Sequence, residues 1–218
     1  MRYAVRPAWV KQAFLRPFAR PGLPERGQVQ LTFDDGPDSA HTPGVIDRLR
    51  SARTTGTFFL VGERVTLAPG LALALAREGH QVGNHTFSHQ RLSWSDLRGA
   101  SDEVTRCQGL LPEGSCWFRP PFGRLTPGLW LAARQSGLRV VTWTLDSNDW
   151  QCRTAEDAAR CAAEVLAQAR AGDTILFHDT HRWIGPILDA VLPGLAARGL
   201  LGVAKGVNAA HPAFKLDD

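Results

Sequence analysis

The sequence lacks the features that would mark a membrane, nucleic-acid or disulfide-framework protein. No segment is long and apolar enough to span a bilayer: residues 67–76 are apolar but fall far short of the roughly 20 residues a spanning helix needs. Residues 1–27 scatter Arg2, Arg6, Lys11, Arg16, Arg20 and Arg26 among prolines and short apolar pieces. They have neither the continuous apolar core nor the small-residue cleavage site of a secretory signal. The expectation is a soluble, cytoplasmic chain as written, or an envelope or secreted one if the natural start lies upstream. Residues 1–27 then form a weakly ordered basic arm, either free or in weak contact with a membrane surface. There is no Lys/Arg block and no interleaving of aromatic with basic residues. The net charge of +4 and pI near 9.2 therefore point to anionic surroundings and not to nucleic acid. Cysteine is scarce: Cys107, Cys116, Cys152 and Cys161 form two equally spaced pairs that match no common zinc pattern. Free thiols and two local disulfides are the alternatives.

What is present is one ordinary globular composition, 218 residues with 44% hydrophobic and 21% charged side chains. That is enough for a single domain with a sizeable core, placed at residues 28–218 and expected to be monomeric. Strand patterns at 28–33, 54–62, 80–84, 116–119, 138–145, 173–177 and 200–207 alternate with helix patterns. The helices are expected from about Val45, at 67–78, 94–110, 127–136, 154–170 and 187–197. Strict alternation implies a parallel sheet, and roughly seven strands suggest a closed or nearly closed β/α barrel.

Chemistry-bearing residues stand at the carboxyl ends of these strands. Asp34 and Asp35 end the first strand, where Gly36-Pro37 turns the chain. Neighbouring side chains on an extended chain point opposite ways, so the two carboxylates have different jobs. Capping the turn is the bland reading for both. His85 and His89, four residues apart, are expected on one side of a helical turn. With Asp35 they would complete the three-ligand open site of a catalytic divalent metal. Arg119 tips the next strand, and Pro120-Pro121 stiffens a loop whose following amide could bind an oxyanion. Asp146, Asp149 and Trp150 follow the strand at 138–145, and His178 follows that at 173–177. Singly, each reads as a salt bridge, a cap or a core aromatic. Jointly they place ionisable groups at five strand ends on one face. His41, His80, His181 and His211 lack a partner at ligand spacing and read as surface or loop residues. Trp183 reads equally as a sugar-stacking platform or a rim aromatic.

This ordered set resembles the polysaccharide deacetylases of the chitin and peptidoglycan deacetylase type, carbohydrate esterase family four, or NodB-homology domain. The likeness covers roughly residues 28–207. Its motifs stand here as Thr32-Phe33-Asp34-Asp35-Gly36-Pro37, His85-Thr86-Phe87-Ser88-His89, Arg119-Pro120-Pro121-Phe122, Asp146-Ser147-Asn148-Asp149-Trp150 and Leu176-Phe177-His178. The resemblance implies a distorted (β/α)7-type barrel. It implies a divalent metal, zinc first with cobalt or nickel as alternatives, on Asp35, His85 and His89. It also implies that the metal activates a water and polarises an N-acetyl carbonyl. Asp34 would be the general base, held and kept ionised by Arg119. His178 would be the general acid, oriented by Asp149, and the Phe122 amide would help stabilise the oxyanion. Trp150 and Leu176 would form the acetyl pocket. The implied substrate is an N-acetylglucosamine-containing glycan, chitin-like or peptidoglycan, and the product acetate. An O-acetyl xylan esterase, a deacylase of a lipid-linked sugar and a non-catalytic carbohydrate-binding module are the competing readings.

Overall fold

The computed structural model describes residues 27–202; the basic arm before Gly27 and the outer part of the strand expected at 200–207 lie outside them. Seven strands form one parallel sheet. They are β1 (Gln30–Asp34), β2 (Gly56–Leu60), β3 (Gln81–Asn84), β4 (Trp117–Phe118), β5 (Arg139–Val140), β6 (Leu145–Asp146) and β7 (Thr174–His178). Their spatial order is β5-β4-β3-β2-β1-β7-β6. The helices between them are α1 (Thr42–Ser51), α2 (Gly62–Leu67), α3 (Pro69–Arg77), α4 (Leu97–Gln108), α5 (Pro127–Gln135), α6 (Ala155–Gln168) and α7 (Ile184–Ala197).

The barrel-like curl follows from one connection. The strand expected at 138–145 is two strands, β5 and β6, and these stand at opposite edges of the sheet. Five residue steps join Val140 to Leu145, a reach of about 18 Å at most. The edges must therefore curl toward each other, and the sheet becomes an open barrel. The uniformly β-forming run Val140-Val141-Thr142-Trp143-Thr144-Leu145 hides the break, because propensity does not say which neighbour a residue pairs with. The expected final strand contributes, among the described residues, one parallel bridge of Leu201 to Val29.

Two helix boundaries also differ from expectation. The helix expected at 67–78 is α2 plus α3, broken at Ala68, because the residue before Pro69 is pushed out of the helical region (φ −141°, ψ 62°). α4 begins at Leu97 and not at Trp94: Asp96 caps it by accepting from the Gly99 N–H at 2.8 Å. α6 starts as expected, with a capping box between Thr154 and Asp157.

Strand alternation divides core from site. Leu31, Phe33, Ile175 and Phe177 are buried in the main apolar cluster, packed with Val45, Leu49, Ile187 and Val191 of the helices. The residues between them, Thr32, Asp34, Leu176 and His178, therefore face the barrel interior. Phe33 stacks between Phe58 at 4.7 Å and Phe177 at 5.9 Å, which locks β1 in the middle of the sheet.

Candidate active site

Register sets the site. Asp34 is level with Phe59 and His178, Leu60 with Asn84, and Asn84 with Phe118. One residue beyond these rungs stand Asp35, His85 and Arg119. Parallel pairing thus brings the expected residues to one edge.

Asp35 Oδ1 lies 3.4 Å from His85 Nε2 and 3.1 Å from His89 Nε2. The three donor atoms are all within 4.8 Å of one another, and no other group of three metal-ligating side chains among the described residues meets that limit. Ligands about 2.0–2.1 Å from a tetrahedral zinc are roughly 3.3 Å apart, so this donor set fits a single divalent cation. His85 Nδ1 lies 2.7 Å from the Arg119 carbonyl, which can only accept. Nδ1 therefore donates there, which turns Nε2 toward the other two ligand atoms as the position where a cation would replace a proton. Burial opposes charge on Asp35, but hydrogen bonds from His85 and His89 outweigh it and hold the carboxyl far below the usual range. Burial likewise opposes charge on His85, yet Asp34 and Asp35 push its pKa up. These are groups whose excess negative charge a cation would take over from a proton.

The two histidines are not on a helical turn. Residues 85–90 form a loop in which Thr86 and His89 have positive φ, 67° and 54°. The spacing i, i+4 is satisfied by two left-handed kinks, which a β-branched Thr gives no hint of. Side chains hold the loop. Asn84 Oδ1 accepts from the Thr86 N–H at 2.9 Å. The buried Glu103 accepts from the Ser88 N–H, the Ser88 hydroxyl and Gln90 at 2.7–3.1 Å. Asp35 (72°), Phe122 (58°) and Asn148 (56°) are also left-handed. Of the six such non-glycine residues described, only Arg53 lies away from the motifs. Each conformation costs on the order of 1–3 kcal/mol, and its concentration here marks a site held by its surroundings.

On the inner side of the donor set lies Asp34, with Oδ2 3.6 Å from His85 Nε2. Its Oδ1 accepts from Arg119 Nη1 at 2.7 Å. Arg119 is fully buried inside the barrel; it also donates to Thr32 Oγ1 at 2.8 Å and the Thr142 carbonyl at 3.0 Å, and lies 4.1 Å over the Phe59 ring. The charge of Asp34 and the bonds from Nη1 and Nη2 offset the burial of the guanidinium, while its Nε has no hydrogen-bond partner.

Next to Asp34, on the strand paired with β1, His178 is held by a second buried carboxylate. Asp149 Oδ1 accepts from His178 Nδ1 at 2.7 Å and from the Trp150 N–H at 2.9 Å. Its Oδ2 accepts from the His178 N–H at 2.7 Å and from His181 Nε2 at 3.1 Å. Burial alone would raise Asp149, but these bonds bring it down to about 2. Burial would lower His178, and the Asp149 bond reverses this, raising it to about 9. His178 is therefore an imidazolium at neutral pH, with Nε2 free of Asp149.

Phe122 and Trp150 are half exposed, and Leu176 is buried on the barrel-facing side of β7. His181 is a half-buried loop residue, in keeping with the loop reading, and is also the second histidine on Asp149; its partner lies 32 residues away, beyond any spacing rule. His80 is also buried, accepting at Nδ1 from the Gly56 N–H, with burial lowering its pKa to about 4. His41 is half-buried just before α1, and His211 lies outside the described residues. Trp183 packs partly buried on the main core, as a rim aromatic would. Asp179, not singled out from sequence, is fully buried beneath the Asp35 turn. Burial raises it to about 7, Thr42 Oγ1 donates to it at 2.5 Å, and a Cβ at Gly36 would strike its carboxylate. That contact is why the turn after Asp35 needs glycine. The four cysteines are free thiols.

The polysaccharide deacetylase family pattern matches residues 22–141, more than half of the chain. The chain belongs to that family. It is 34% identical over 176 residues to a peptidoglycan-N-acetylglucosamine deacetylase, PgdA, of Listeria monocytogenes, a match covering 79% of this chain but only 36% of that protein. It is 37% identical over 159 residues to a chitooligosaccharide deacetylase of Bradyrhizobium, covering 69% of this chain and 70% of the relative. Among solved structures, peptidoglycan deacetylase PdaC from Bacillus subtilis superposes with a TM-score of 0.71 at 30% identity, covering 81% of this chain and 87% of that one. The chain thus spans about a third of the length of the Listeria relative.

Proposed function

We propose that this chain is a metal-dependent deacetylase that removes N-acetyl groups from an N-acetylglucosamine-containing glycan, with residues 28–202 inside its catalytic domain. The observation that carries the reading is the arrangement of two buried charge pairs, Asp34 with Arg119 and Asp149 with His178, beside a donor set sized for one cation. The names of the relatives support the reaction class and the glycan. Asp35, His85 and His89 would hold the cation, and a mixed nitrogen and oxygen set leaving a coordination position open suits zinc, with cobalt or nickel as substitutes. When bound, the cation supplies an acidified water and polarises the acetyl carbonyl.

The chain's own residues do the rest. Asp34, ionised and pinned by Arg119, takes a proton from the attacking water as its oxygen bonds to the acetyl carbon. The Phe122 amide, in a turn stiffened by Pro120 and Pro121, donates to the oxyanion that develops on the carbonyl oxygen. His178, charged through Asp149, gives its proton to the nitrogen as the carbon–nitrogen bond breaks. Acetate and a free amino sugar leave. Leu176 and Trp150 line the space for the acetyl methyl, and the exposed Trp150 also covers one side of the sugar.

The test is acetate release by protein stripped of metal and then given zinc or cobalt, from chitin oligomers, peptidoglycan and acetylxylan in parallel. Metal-restored release from an N-acetyl substrate is expected. Release from acetylxylan alone would replace the reading with an O-acetyl esterase.

A further inference from the structure

Beside the donor set, two loops stack on each other reciprocally. The Phe122 ring lies 4.6 Å from the His89 ring, and the Arg91 guanidinium sits 4.3 Å over the outer face of Phe122. In return Arg124, from the Phe122 loop, reaches to 5.8 Å from the ring of Trp94, in the Arg91 loop. A continuous ridge therefore leads from His85 through His89 and Phe122 out to solvent, flanked by Trp94. Phe122 and Trp94 are 48% and 58% exposed, an unusual amount of aromatic surface to leave in water. Arg91 is exposed and Arg124 half-buried. Among the described residues neither forms an ion pair, so both guanidinium groups keep donors for a ligand.

Aromatic faces stack on the C–H faces of sugars, and a guanidinium held flat on an aromatic ring keeps its fork of donors open to a carboxylate. Two unpaired forks interleaved with two exposed rings, next to the proposed reaction centre, make a surface for a sugar that also carries negative charge. We propose that the Phe122, Arg91, Trp94 and Arg124 ridge binds the residue neighbouring the one deacetylated and reads a carboxylate on it, so that the chain prefers anionic N-acetylglucosamine glycans to neutral ones. The net charge of +4 favours the approach of such strands. This rests on the deacetylase reading above. The carboxylate has two sources, a lactyl ether on an alternating amino sugar or a uronic acid.

The test compares kcat/KM of the zinc-loaded protein on three substrates of matched length. They are a peptide-free glycan with lactyl carboxylates, an alternating N-acetylglucosamine–glucuronate oligomer and a neutral chitin oligomer. Wild type should favour at least one acidic substrate over the neutral one by about tenfold, the worth of one charge-assisted hydrogen bond, and lose the preference as salt rises. The double variant R91Q/R124Q should lower kcat/KM on the favoured acidic substrate, through KM, by about tenfold more than on the neutral oligomer, so that the ratio of the two falls toward one. Circular dichroism certifies its fold. R91K/R124K, which keeps charge but not the fork, should retain only part of the preference. Whichever acidic substrate is favoured names the source of the carboxylate. Equal kcat/KM for acidic and neutral substrates in the wild type, or an equal loss on both in R91Q/R124Q, would overturn this inference alone. No acetate from any substrate would overturn the deacetylase reading and this inference with it.

Discussion

The two sides of the donor set are built on opposite principles. On the inner side, Arg119, Asp34, Asp149 and His178 are buried or nearly so, and each is held by at least one charged hydrogen bond at 2.7 Å. On the outer side, Phe122, Trp94, Trp150 and Arg91 are exposed, and the arginines lack carboxylates among the described residues. Groups that must hold one geometry through a proton transfer are locked by the barrel, where a low dielectric makes each charge pair count. Groups that must meet a polymer stay in water, so that binding it removes apolar surface from solvent. The first kind should respond to mutation through stability and rate, the second through substrate preference.

Arg119→Met should break the contrast most severely. It leaves Asp34 buried without its cation, a loss of about 3–5 kcal/mol, expected as a fall in Tm of about 10 °C. Any folded fraction should also release acetate very slowly. Thermal unfolding followed by circular dichroism reads the first effect directly.

Asp149→Asn should act on rate and on pH together. Asp149 is what lifts His178 to about 9, so wild-type activity should fall only as pH rises through about 9. In the variant the alkaline limb should move down toward the ordinary histidine value of about 6.5, with kcat lower by about 10- to 100-fold at neutral pH. The stability carried by this pair has the same sign. It is fully present from about pH 4 to about pH 6.5, is lost as pH rises through about 9, where His178 gives up its proton, and is lost again as pH falls through about 2, where Asp149 gains one. A pH–rate profile of both proteins would show whether the limb moves.

His181→Gln should give the smallest of these effects. It removes one of four hydrogen bonds to Asp149, so kcat should fall less than about tenfold and the alkaline limb should shift in part. A pH profile identical to wild type would mean that His181 only packs against the rim.

Much of this was legible beforehand, for a physical reason. Alternation of strand and helix periods gives a parallel sheet, and a parallel sheet collects its carboxyl ends, so Asp34, Asp35, His85, His89, Arg119 and His178 could be placed on one edge from the chain alone. What stayed hidden depends on non-local contacts or on backbone strain. The split of 138–145 into β5 and β6 is decided by pairing with β4 and β7, not by the residues themselves. The left-handed Thr86 and His89 are held by Asn84, two residues before Thr86, and by Glu103 from α4, so the helical turn is the ordinary conformation and the loop the enforced one. His181 and Asp179 are loop residues, and their partners, Asp149 and Thr42, lie too far along the chain for any spacing rule to reach.

The most direct test of the central claim measures zinc content and acetate release together on wild type, Asp34→Asn and His85→Ala. If Asp34 takes the proton and His85 holds the cation, Asp34→Asn should keep one zinc per chain while acetate release drops by about 10²–10⁴-fold, and His85→Ala should lose both. Near-normal release from Asp34→Asn, or full zinc on His85→Ala, would contradict the account.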